Sequence, residues 1–256
     1  MTAEEETIPG PTELDGSTTL SDPMAEGLEV MTSAVRYREA LARLALPWLG
    51  EDPVEVGAGT GDYAATWADW GKRLVATEPE GPSLAHLRAR FEADPRVQVR
   101  ALGLPSDESA GHSAAVALNV LEHIEDDLGG LRSMARLVRD GGHVVLIVPA
   151  FSFAYGDWDR RIGHYRRYRV PEVRAKLEAA GLEPLVVRYI QSVGLIGWCI
   201  VIRLLHGEPK DTAALRLYDR FVVPVIGAVE RRVKIPFGQS VFAVARVGTE
   251  QAPPTA

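Results

Sequence analysis

Nine consecutive residues constrain this chain more than any others: Val54-Glu55-Val56-Gly57-Ala58-Gly59-Thr60-Gly61-Asp62. A short apolar run enters three glycines at alternate positions, and a helical pattern follows. Glycine adopts positive φ and lets a ligand approach the backbone closely. Strand, glycine turn and helix in that order begin an open α/β sheet. In such sheets ligands lie beyond the carboxyl ends of the strands, where the strand order reverses. The rest of the chain agrees. Apolar segments at 53–57, 72–77, 97–101, 113–119, 143–148, 182–190 and 240–247 read as strands. Helical patterns at 28–48, 62–70, 81–93, 127–139 and 171–180 lie among them, and Asp140-Gly141-Gly142 reads as a turn. This alternation predicts a doubly wound, mostly parallel seven-stranded sheet covered on both faces.

The loop differs from two common phosphate cradles. A dinucleotide site uses G-x-G-x-x-G and sets a pyrophosphate against a helix N-terminus. Here the pattern is G-x-G-x-G with Asp62 next, and an acid there suits a pyrophosphate poorly. A Walker loop needs G-K-[ST], which is missing. A nicotinamide-dependent oxidoreductase therefore stays a lesser alternative. Seventeen residues after Gly61, the second strand ends at Thr77-Glu78-Pro79. A carboxylate at that end is placed to accept hydrogen bonds from both ribose hydroxyls. Its competing role is to cap the next helix.

Taken in order, VEVGAGTG, VATEPE, LNVLEHIEDD and RDGGHVVLIVPA resemble the class I S-adenosylmethionine-dependent methyltransferases over residues 35–247. The resemblance implies a Rossmann-like fold with an N-terminal helix and S-adenosyl-L-methionine as cofactor. It also implies site roles. Gly57, Ala58 and Gly59 would line the methionine part, and Glu55 would hold that loop or the cofactor's amino group. Glu78 would bind the ribose, and Leu102 and Gly103 would flank the adenine. Asn119 would touch the methionine end, and Tyr37 would close over its carboxylate. GHYRRY resembles a stretch found in a bacterial small-molecule branch. That implies a small-molecule acceptor in natural product biosynthesis, and the aromatic residues after the fifth strand make an aromatic or apolar one the expectation. A protein that binds the cofactor without transferring its methyl is the other alternative.

Two further segments carry chemistry. Glu122 and His123 follow the fourth strand, beside the implied sulfonium. Three readings stand: packing and capping, placement or deprotonation of an acceptor, and metal ligation. Some members of the resembled family place a further acid three residues before this Glu; Asn119 stands there, so the resemblance implies an incomplete metal set and the expectation is no metal. Residues 149–169, PAFSFAYGDWDRRIGHYRRYR, leave the fifth strand and stand over the same cleft. An oxygen or nitrogen acceptor needs a base near neutral pH, and histidine is the natural one. His164 is the first candidate base, with His123 and Glu122 behind it. Tyr155, Trp158, Tyr165 and Tyr168 are candidate acceptor contacts, with Asp157, Asp159, Phe151 and Phe153 beside them. The five arginines of this stretch read as a salt-bridged helix start.

Charge and cysteine content narrow the class. Residues 1–27 hold seven acids and no Lys or Arg, so the remaining 28 acids balance the chain's 28 bases. A neutral folded part argues against a nucleic-acid partner. The acidic stretch 1–27 reads as a disordered tail, 28–247 as one domain, and 248–256 as a loose end. The one cysteine, Cys199, excludes an intrachain disulfide and a Cys-based zinc site. The longest apolar run, Val193 to Ile202, is ten residues, and about 20 are needed to span a bilayer. The expectation is a cytoplasmic protein without a transmembrane segment, a homodimer being open to it. A helical insertion at about 191–239 reads as a lid, with Trp198 and Phe237 as wall residues; a dimer surface and a membrane-surface contact are its other readings.

Overall fold

The computed structural model describes residues 34–200, 213–230, 232–233 and 235–248. The tail 1–27, the stretch 28–33, the middle of the insertion and the last residues lie outside these. Helix α1 (Val35–Ala45) continues into a 3₁₀ turn at Leu46–Trp48. Then come β1 (Val54–Val56), α2 (Asp62–Asp69), β2 (Leu74–Glu78), α3 (Pro82–Phe91) and β3 (Val97–Ala101). β4 (His112–Leu118) is followed by a single turn at Leu121–His123, α4 (Asp127–Arg136) and β5 (Val138–Pro149). The second half holds α5 (Asp157–Arg161), α6 (Val170–Ala179), β6 (Leu182–Ile190) and α7 (Ser192–Trp198). It ends with α8 (Ala213–Leu217), a π-helical turn, α9 (Val223–Glu230) and β7 (Ser240–Val247).

The strands form one sheet in the order β3-β2-β1-β4-β5-β7-β6. β7 runs antiparallel to both its neighbours, and the other pairs are parallel. The order reverses between β1 and β4. Gly57 and Asn119 follow the carboxyl ends of these two strands, so the glycine loop sits at the switch point.

Alternation along the central strands fills two cores. Val116, Leu118, Val145 and Ile147 face α1, α2 and α3, with Trp67 buried among them. Ala115, Ala117, Val144, Leu146 and Val148 face α4 and α6, against Met134 and Leu177. Burying an aliphatic side chain of this kind contributes about 1.5–3 kcal/mol.

One boundary differs from the sequence expectation. The Asp140-Gly141-Gly142 turn lies inside β5, whose pairing with β4 jumps from His112↔Val138 to Ala114↔His143. The extra residues form a bulge. Gly142 fits because a Cβ there would stand 2.7 Å from the Ser113 carbonyl. The helix before it stops at Arg136.

Candidate active site

Gly57, Gly59 and Gly61 have φ of 67°, 55° and 80°, which L side chains rarely adopt. A Cβ on Gly57 would also lie 2.7 Å from a Val120 methyl. The loop is tied to β2 by the Ala58 amide donating to the Thr77 carbonyl at 2.8 Å. The Gly59 amide donates to the Glu78 carboxylate at 2.9 Å. Burial pushes the Glu78 carboxyl up, and this amide pulls it back. The Leu102 amide donates to the Glu78 carbonyl at 3.0 Å, and Gly103 lies against Pro79. The predicted ribose and adenine residues are therefore adjacent.

Glu55 lies fully buried beneath the loop. It accepts a hydrogen bond from the Ala64 amide, and its Oε2 has no partner. Burial, then the nearby Glu78 and Asp62 charges, push its pKa up to about 8.

A cavity of about 240 Å³ opens beside this loop. One end is lined by Gly57, Ala58, Gly59 and Thr60 with Tyr37 and Arg38 of α1; the other by Glu122, His123 and His164 with Trp158, Ile162 and Trp198. Asn119 lies between, in the left-handed region at φ 57°, a conformation asparagine tolerates better than most residues. Pro149 and Ser240 also line it, brought together by the antiparallel β5–β7 register.

His164 is held from behind. Its Nδ1 is 2.8 Å from Asp159 Oδ1. Asp159 also accepts from Arg167 at 2.8 and 3.1 Å and from the Gly156 amide at 2.9 Å. Burial raises the Asp159 carboxyl, but the bonds from His164 and Arg167 outweigh it and hold it low. An ionised carboxylate only accepts, so Nδ1 is the nitrogen that carries a proton here, and Nε2 bears the lone pair whenever the ring is neutral. That Nε2 is 3.8 Å from Glu122 Oε1. The His123 ring meets the His164 ring edge to face at 4.5 Å. Burial, then His164, depress His123 to about 4. Burial pushes Glu122 up to about 7, against the pull of His164.

Several expected contacts sit elsewhere. Tyr168 is buried in the second core, and its hydroxyl donates to Asp127 at 3.0 Å, so it has no free face for an acceptor. The Tyr155 hydroxyl donates to the His164 carbonyl at 2.8 Å and supports the site from outside the cavity wall. Tyr165 is half exposed beneath the Arg166 guanidinium. Phe151 stacks on Tyr189, and Phe153 and Phe237 are exposed. Asp159 orients His164 instead of lining the cavity. Arg167, read as a surface charge, is buried; its guanidinium packs 4.7 Å from the Trp198 ring. Trp198 donates to the Ala154 carbonyl at 3.2 Å. Among the described residues the insertion thus reaches the cavity through Trp198 and Gln239.

The insertion also carries two acids turned inward. Asp219 accepts from the Arg36 and Tyr37 amides at 3.1 and 2.7 Å, capping α1. Glu230 accepts from the Gln191 and Ser192 amides at 2.8 Å each, capping α7. Nothing local in the sequence marks either pairing, which spans more than 35 residues of chain.

A seven-stranded sheet with a glycine cradle at its switch point and a carboxylate at the end of the next strand is the arrangement of the class I S-adenosylmethionine-dependent methyltransferases, and the chain's similarities support that class. A family model described as a methyltransferase domain matches residues 54–144. A protein of Mycolicibacterium smegmatis named "probable S-adenosylmethionine-dependent methyltransferase" is 31% identical over 152 residues, covering 58% of each chain. One of Mycobacterium tuberculosis with a similar name is 29% identical, covering 57% of this chain and 54% of its own. This chain thus spans little more than half the length of these relatives. Among solved structures, the 1,6-didemethyltoxoflavin-N1-methyltransferase of Burkholderia thailandensis superposes with a TM-score of 0.58 at 19% identity. It covers 94% of this chain and 100% of its own.

The residues present fit the family's cofactor, S-adenosyl-L-methionine. The cradle would be filled by a Cβ, and the partnerless Glu55 oxygen is an acceptor beneath the loop.

Proposed function

We propose that this protein moves a methyl group from S-adenosyl-L-methionine to a small aromatic or apolar acceptor. The observation that carries the reading is the single cavity, with the glycine cradle at one end and the Glu122–His123–His164 cluster at the other. The cofactor supplies a sulfonium-bound methyl, displaced in line by an acceptor oxygen or nitrogen. Everything else falls to the chain. Gly57, Ala58 and Gly59 seat the methionine part, Glu78 takes the ribose, and Tyr37 and Asn119 line the methionine end. Leu102 and Gly103 flank the adenine. Trp158, Ile162 and Trp198 wall off water from the acceptor. His164 Nε2 presents the lone pair that takes the acceptor's proton, and Asp159 fixes the ring that carries it. The small-molecule acceptor is supported by the modest cavity and the aromatic wall. Among the described residues no helix is long and apolar enough to cross a membrane.

Methyl-labelled S-adenosylmethionine incubated with the protein and a metabolite extract of the source cells tests this by mass spectrometry. A labelled small molecule is expected, and its fragmentation identifies the methylated atom. Failure to bind S-adenosylhomocysteine would overturn the reading at its root. Binding with no product from any extract fraction would leave the non-catalytic alternative.

A further inference from the structure

The geometry points to a divalent transition-metal site built from Glu122, His123 and His164. One ligand atom from each lies within 4.8 Å of the other two. Glu122 is fully buried, and neither of its carboxylate oxygens has a hydrogen-bond partner. A carboxylate taken out of water with no donor is costly, and a cation beside it removes that cost. Asp159 cannot serve instead, because Arg167, His164 and the Gly156 amide already engage its oxygens.

The surroundings match how proteins hold metal-binding imidazoles. Such a histidine gives its other N–H to a carboxylate, which fixes tautomer and ring direction. His164 does this through Nδ1 to Asp159 at 2.8 Å. Its Nε2 then faces the Glu122 carboxylate at 3.8 Å. The two segments are pinned together by the Tyr165 amide donating to the Glu122 carbonyl at 2.8 Å. The adjacent Glu122 and His123 therefore meet a third ligand from 41 positions later in the chain.

Two imidazoles and one carboxylate favour a first-row divalent ion over Mg²⁺ or Ca²⁺, which prefer all-oxygen sets. Three protein ligands leave positions open to the cavity that all three line. An acceptor with an oxygen donor would occupy one, and the ion would lower its proton affinity. His164 would then serve as a ligand and not as the base. This assignment of the acceptor rests on the proposed methyl transfer; the ion site itself does not.

The test is chelator-stripped full-length protein titrated with Co²⁺, followed by its visible absorption and by equilibrium dialysis. One ion per chain and a ligand-field spectrum are expected. Glu122→Gln, which keeps the shape, and His164→Gln should each weaken binding at least tenfold. Asp159→Asn should weaken it 10–100-fold. His143→Ala, outside the cavity, should bind like the parent chain. S-adenosylhomocysteine binding, measured on every preparation, reports that the variants are folded. No Co²⁺ uptake, or uptake unchanged in Glu122→Gln and His164→Gln, would overturn the site. With S-adenosylhomocysteine still bound, that result would leave methyl transfer standing. Co²⁺ uptake without S-adenosylhomocysteine binding would do the reverse.

Discussion

The two ends of the cavity are built on different principles. The cradle end uses backbone: three glycines with positive φ, an amide on Glu78, and a strand pairing between residues 21 apart in the chain. The cluster end uses side chains gathered from residues 122–123, 158–167 and 198. They are held by side-chain contacts in a chain: Asp159 by Arg167, Arg167 against Trp198, Trp198 by the Ala154 carbonyl. A backbone cradle recognises one invariant ligand and needs little else. A side-chain cluster can be retuned by single substitutions, which suits an acceptor that differs between enzymes of one fold.

This contrast predicts that the two ends separate under mutation. The largest effect is expected from His164→Ala, which should lower turnover by about 10²–10⁴-fold while S-adenosylhomocysteine affinity stays within about twofold. Calorimetry and single-turnover rates check this; a parallel loss of both would merge the two ends. Glu78→Ala should do the opposite. It removes the acceptor of the Gly59 amide and, on the proposed reading, that of the ribose; two charge-assisted bonds at about 1.5–3 kcal/mol each imply at least a tenfold loss of cofactor affinity. Turnover at saturating cofactor should change far less.

Asp219→Ala probes the connection between the ends. Asp219 belongs to the insertion yet caps α1, whose Tyr37 and Arg38 line the cradle side. Loss of this cap should cost about 1–2 kcal/mol of stability, read by denaturant unfolding, and should weaken cofactor binding and acceptor KM together. An effect on one alone would show the insertion to be independent of the cradle.

The smallest effect is a slope. Burial holds the Glu55 pKa near 8, above its unfolded value of 4.5. The folded chain keeps a proton that the unfolded chain releases. Stability from this group is complete below pH 4.5 and is lost as pH rises towards 8. Glu55→Gln should flatten that window, so the variant gains on the parent chain between pH 5 and 8. Thermal unfolding at stepped pH checks it, and identical slopes would place the Glu55 carboxylate in contact with a charge partner in solution.

Much of the cradle was legible before any coordinates. Positive φ is a local demand that only glycine meets cheaply, so VEVGAGTG announces a turn wherever it folds. Strand–helix alternation and the two-sided burial of HVVLIV likewise set a parallel sheet. That Glu78 closes the second strand was also readable from its place after the glycine loop. The cluster end was legible only as a list of residue types. Tyr155, Trp158, Tyr165 and Tyr168 all looked like acceptor contacts, yet only Trp158 lines the cavity. In an irregular segment no periodicity reports which way a side chain points. Tyr168 turned inward because its ring fills the second core and Asp127 takes its hydroxyl.

The sequence by itself determined the sheet, the glycine cradle and the class of cofactor, because each depends on patterns within about 25 residues. Tertiary structure alone decided that Asp159 orients His164, that Arg167 is buried against Trp198, and that the Glu122 carboxylate stands beside two imidazoles with no hydrogen-bond donor. Those outcomes depend on which distant segments share one low-dielectric pocket. There the cost of an unpaired charge, not local propensity, selects the partners.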